Sequence, residues 1–208
     1  STDAYQGDRP DGAAMRSSYW GSGRFHPSCD RIPQLVGICE AYDLVHDACG
    51  DDGQPLWTDA TRSLVERDFL LEYIMGAEPW LGGHLKATQL SNKAGRAYCA
   101  VAAVGRCLGL PEYVDTALHG YQGLRDHSFL EDGFSRESPF YTYAGFLSPL
   151  IWVPEILEGY RFPPGRGPRK GTVHVFRRDA KLRRIYQTML DILRPDGRYI
   201  PLTDTSAP

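Results

Sequence analysis

The sequence predicts an all-α protein made of successive antiparallel helical hairpins, and three observations carry that reading. Apolar residues recur at the i, i+3, i+4, i+7 spacing of a helix face. Strand-like alternation is nearly absent. The breaks between periodic segments are short and rich in glycine and proline, which sends each helix back along the one before it.

Taken in order, residues 1–30 are polar and rich in Gly and Asp, which predicts a loose N-terminal segment ahead of a single domain over 31–208. Leu35, Ile38, Cys39, Tyr42 and Val45 share one face of a first helix. Thr58 is placed to cap a second, which runs to about Met75. A third covers Lys93 to Leu108, with Ala97, Tyr98, Val101, Val104 and Leu108 on one side. Gly109 stops it, and Pro111 opens a fourth that carries Val114, Ala117, Leu118, Tyr121 and Leu124. The apolar run "YAGFLSPLIWVPEILEGY" reads as a helix kinked or broken at Pro149 and Pro154. "RFPPGRGPRKGT" is a loop, because its prolines and glycines forbid regular structure. A last helix spans about Phe176 to Leu193 and ends at "RPDG". It is too short to build a core alone, so the loop does not divide two domains. Sequence identity shows no repeat period of roughly 20–50 residues, which argues against a solenoid.

Composition narrows the function classes. A chain of 208 residues with 42% apolar and 24% charged residues is ordinary for a globular protein. The net charge of −3 lacks the basic excess of a general nucleic-acid binder. No apolar run reaches the roughly 20 residues of a membrane span. The five cysteines form no CxxC pair, and Cys39, Cys99 and Cys107 fall on apolar helix faces as small hydrophobes. The six histidines make no ligand-spaced pair, and no metal or cofactor motif is present.

Four stretches carry polar groups in patterns that invite chemistry. "AYDLV" (41–45) lies inside the first helix. "LSNKAGRAY" places Asn92 at a helix start, either as a cap or as an amide donor to an anion, with the helix dipole adding to the attraction. "DGFSRESPFYTY" (132–143) and "RPDGRYIPLTDTS" (194–206) each carry an Asp-Gly turn, the latter followed by Asp204.

In this order the four stretches resemble the helical part of the heparinase II/III-like polysaccharide lyases, over roughly Tyr42 to Asp204. The resemblance implies an incomplete (α/α) toroid of helical hairpins with a cleft at one end, normally continued by a β-sandwich region that this chain does not include. It implies a secreted or periplasmic enzyme, an acidic polysaccharide as partner, and neither cofactor nor metal. The reaction is β-elimination: the proton α to a uronate carboxylate is removed and the glycosidic oxygen leaves. Charge builds on that carboxylate as the enolate forms, so the site must donate to it. Asn92 matches the family's asparagine in this role. Tyr141 matches the tyrosine that serves as base and then acid. A free phenol titrates near ~10, so a cation, Arg136 or Lys93, must favour the phenolate. Glu137 lies in the same motif and equally suits a helix start.

Two departures from the family pattern bear on the residues. Lys93 stands where many members have histidine; if the reaction needs one, His84 and His174 are the candidates. One residue fewer separates Glu137 from Ser138, which allows Tyr143 in place of Tyr141; the Ser-Pro step favours Tyr141. Trp20, Trp57, Trp80 and Trp152 suit either the core or stacking on sugar rings. Arg177, Arg178, Arg183 and Arg184 form a basic stripe on the last helix. Two other readings stay open. One is an inverting glycosidase that draws its carboxylate pair from Asp132, Glu137, Asp196 and Asp204. The other is a carbohydrate-binding toroid without catalysis.

Overall fold

A computed structural model describes residues 32–74, 92–139, 142, 146–165, 167, 169–177 and 179–200. Six α-helices and no strand lie among them: α1 (Ile32–Val45), α2 (Asp59–Val65), α3 (Asn92–Cys107), α4 (Pro111–Ser128), α5 (Leu147–Leu157) and α6 (Ala180–Asp191). The chain is all-α over the described residues.

Several starts and stops follow from local chemistry. Thr58 caps α2 by accepting from the Thr61 amide at 3.1 Å. Gly109 adopts φ +65° after α3, and Pro111 occupies the first turn of α4, where a missing N–H leaves nothing unsatisfied. Two expectations are corrected. α5 runs unbroken through Pro149 and Pro154. Pro149 lies in the first turn, and Pro154 is buried together with Leu150, Val153 and Leu157, so packing outweighs one lost backbone bond. α6 begins at Ala180 and not near Phe176, because Asp179 accepts from the Leu182 amide at 2.8 Å and so sets the cap. The Pro/Gly segment after α5 is a loop over its described residues, as expected, closed at its base where Arg161 pairs with Thr172 and the Val173 amide donates to Tyr160. Beyond α2 the chain also continues through a π-helical turn, Glu66–Leu71. One inserted residue of this kind is invisible to a 3.6-residue pattern.

Close contacts give the helix directions. A Cβ on Gly105 would meet Tyr113 and Val114, and one on Gly120 would meet the Tyr98 ring at 2.1 Å, so α3 and α4 run antiparallel. Gly95 faces Pro149, and the Arg106 guanidinium reaches the carbonyls of Ile156 and Glu158, so α3 and α5 run in step. Lys181 meets the Asp126 carbonyl, while Arg184 and Thr188 meet that of Asp132, so α4 and α6 also run in step. α3 packs between α1 and α5, with α4 across it. Tyr98, Val101, Val104, Val114, Tyr121, Leu124, Phe146 and Leu150 fill the core between them.

Three of the connections are copies of one hairpin. Cys49 pairs with Pro55, Phe129 with Ser135 and Leu193 with Tyr199. In each, an Asp-Gly step turns the chain, with Gly53, Gly133 and Gly197 at φ +74°, +86° and +78°. In each, the aspartate accepts from the amide two residues on: Asp52 from Gln54, Asp132 from Phe134, Asp196 from Arg198. The backbone bonds repeat as well, from Gly50 to Gln54, Leu130 to Phe134 and Arg194 to Arg198. The molecule thus has a structural repeat at intervals too wide and too unequal for a search by identity.

Candidate functional site

Tyr141 and His84 lie outside the described residues, as do Tyr143, Asp204, Trp20 and Trp80. Asn92 is the first residue of α3, and Lys93 follows it. Arg136 and Glu137 leave the 129–135 hairpin as exposed residues. The Arg136 amide donates to the Ser128 carbonyl at 3.0 Å, and the Glu137 amide donates to Ser135 Oγ at 3.2 Å. Ser138 and Thr142 are buried, and the Ser138 carbonyl accepts both the Thr142 amide and its hydroxyl.

Because α3 and α5 run in step, the start of α3 at Asn92 and the approach to α5 through Arg136, Glu137 and Ser138 share one end of the molecule. The structure therefore brings Asn92, Lys93, Arg136 and Glu137 to a common end. The last turns of α4 and α6 reach the same end, so what favours an anion there is local: the unpaired amides of the first turn of α3.

His174 does not join them. It follows α5, at the other end from Ser138, and its Nδ1 lies 2.8 Å from Glu158. The bond from His174 holds the Glu158 carboxyl below its ordinary value. Asp132 and Asp196 each use a carboxylate oxygen to close their turn, so both have a structural role.

A second region lies at the far end of the same helices. A cavity of about 800 Å³ opens between α1 and the last turns of α3 and α5. Glu40, Asp43 and Glu155 line it with Arg106 and Trp152, a residue 37% exposed. Arg106 already serves the carbonyls at the end of α5, and helix ends add partial negative charge, so this groove repels anions. Sequence periodicity places Glu40 and Glu155 on polar helix faces but cannot show that two distant faces meet. A carboxylate one position after buried Cys39 on α1 was the available signal.

Two polar clusters hold the scaffold. In "AYDLV", buried Tyr42 donates to Glu66 in the π turn at 2.7 Å and stacks edge-on with His46 and Trp57. Burial, and then that bond, push the Tyr42 phenol up to about 12. Tyr121 and Arg125 both bind Asp179, the α6 cap, and so tie α4 to α6. Trp57 donates to the Val45 carbonyl at 2.8 Å, which ties it to α1. Within the arginine stripe, Arg184 is held by the Asp132 carbonyl, and Arg177 and Arg183 are exposed.

Among the described residues no group of three or more His, Cys, Asp or Glu could hold a metal ion, and no helix is long and apolar enough to cross a membrane. The chain matches no known family model, no curated protein and no solved structure.

Proposed function

We propose that this chain is the helical, toroidal part of a polysaccharide lyase that cleaves an acidic, uronate-containing polymer by β-elimination. One observation carries the reading: Asn92 and the Arg136–Ser138 approach to α5 share the end at which two parallel helices begin. A uronate carboxylate bound there would gain from the amide of Asn92 and from the first turn of α3. Tyr141, once ionised beside Arg136 or Lys93, takes the α-proton. The electron pair moves into the C–C bond as the glycosidic C–O bond breaks, and the phenol returns a proton to the leaving oxygen. The uronate ring keeps a conjugated double bond that absorbs in the ultraviolet. The helical hairpins then form an arc of an incomplete toroid, and the secreted or periplasmic setting follows from the same reading.

The test is incubation with a panel of uronate polymers while ultraviolet absorbance is followed. The expected result is unsaturated product from at least one polymer, with Tyr141→Phe lowering the rate by about 10²–10⁴-fold. Full activity in Tyr141→Phe would remove that residue as the base.

A second reading is favoured by the acidic groove. Glu40, Asp43 and Glu155 beside exposed Trp152 offer carboxylates and an aromatic platform for a neutral sugar, the residue types an inverting glycosidase uses. Saturated reducing ends from a neutral glycan, lost in Glu155→Gln, would select it over the lyase. Binding of an acidic polymer without any turnover would select a carbohydrate-binding toroid.

A further inference from the structure

Cys39 and Cys107 were expected to be inert small hydrophobes, and the fold brings them together. Cys39 is buried on α1, while Cys107, at the last residue of α3, is only partly buried. Both are free thiols and both line the 800 Å³ groove. The Cys107 thiol donates to the Cys39 carbonyl oxygen at 3.9 Å, which sets its sulfur against the Cys39 residue.

The two positions are unequal in a way that suits thiol–disulfide exchange. An attacking thiol needs access and a share of thiolate; a resolving thiol needs only proximity. Both thiols line the groove, but Cys107 is partly exposed there while Cys39 is buried. The Cys39 side chain beside it holds the Cys107 thiol below its ordinary value, against burial and the nearby charges of Asp43 and Glu66. The same contact, with burial, pushes the Cys39 thiol up.

We infer that Cys107 and Cys39 form a redox-active dithiol that reacts with small-molecule disulfides and closes to a disulfide joining α1 to α3. The Cys107 thiolate attacks one sulfur of the small disulfide, whose S–S bond breaks and releases one thiolate. Cys39 gives its proton to solvent and its sulfur attacks Cys107 Sγ, which expels the second thiolate. One small disulfide is reduced to two thiols while the protein loses two hydrogens, so electrons balance. The bridge fastens α1 to α3 at the groove wall and removes the one partly exposed thiol there.

The full chain is treated with one equivalent of cystamine, a cationic small disulfide that suits the acidic groove, then unfolded, alkylated and mapped by fragmentation mass spectrometry. The expected result is a fall in alkylatable cysteines from five to three, with one bridge joining Cys39 and Cys107. In Cys39→Ser the reaction stops early, and a cysteamine adduct accumulates on Cys107 at least tenfold above the wild-type level. Five free thiols after treatment, a bridge to any other cysteine, or an equal adduct on Cys107 in both proteins would each overturn the inference. Because the wild-type map needs no variant, a folding defect in Cys39→Ser would not obscure the result.

Discussion

The hairpins 49–55 and 129–135 share every turn-forming bond and differ in what surrounds them. A Cβ added at Gly53 would meet nothing within 4 Å. One added at Gly133 would lie 2.7 Å from both the Arg184 carbonyl oxygen and Thr188 Oγ1. The Asp132 carbonyl between them also accepts from Arg184 Nε at 3.0 Å and from the Thr188 hydroxyl. The first hairpin is a free turn; the second is clamped under α6. Local chemistry sets the shape of such a turn, and tertiary contact sets how much the molecule depends on it.

That contrast can be broken by substitution. Gly133→Ala is expected to destabilise by about 3 kcal/mol, since a left-handed backbone and an unyielding carbonyl act together. Gly53→Ala has only the backbone penalty, about 1 kcal/mol. Equal losses in denaturant titrations of the two variants would show that packing under α6 contributes nothing. Thr188→Val tests the clamp itself. It removes the hydroxyl donor from Asp132 without changing shape, and about 1–2 kcal/mol should be lost. A variant as stable as the parent would leave Arg184 as sufficient anchor. The smallest effect belongs to Glu131→Gln within the same hairpin. Glu131 meets Lys181 at 3.2 Å but is 96% exposed, so the change should stay within about 0.5 kcal/mol. A larger shift would mean that the ion pair, and not the packed glycine, holds the hairpin in place.

Much of the fold is legible in the sequence because it depends on neighbours in sequence. The Thr58 cap, the Gly109 stop and Pro111 at a helix start are decided within a few residues, and the structure agrees at each. The misses share a cause. Proline looks like a break at Pro154, yet burial of the surrounding leucines and valine carries the helix through. Phe176 looks helical, yet Asp179 is held by Tyr121 and Arg125 from another helix and starts α6 there. The π turn after Val65 serves a bond between Glu66 and Tyr42, which sequence spacing does not show.

The repeat was visible in part. "DGQPLWTD" and "DGRYIPLTD" share Asp-Gly, Pro-Leu and Thr-Asp, but the unequal spacing hides the relation from a search for a fixed period. Of the candidate site, the common end shared by Asn92 and Arg136 could be anticipated only from the direction of α3 and α5. Gly95 against Pro149 supplies that direction, and it is a contact between residues far apart in the chain. The acidic groove and the cysteine pair were illegible for the same reason.

Helix α3 has no side open to water from Ala97 to Gly105. A rod packed on all sides cannot roll or slide without opening voids along its length, which a close-packed interior resists. Motion between its neighbours is then confined to swinging about it, like two leaves on one pin. With α1 and α5 as the leaves, the quantity that varies is the width of the groove between them. A bond between Cys39 and Cys107 would fix one leaf to the pin.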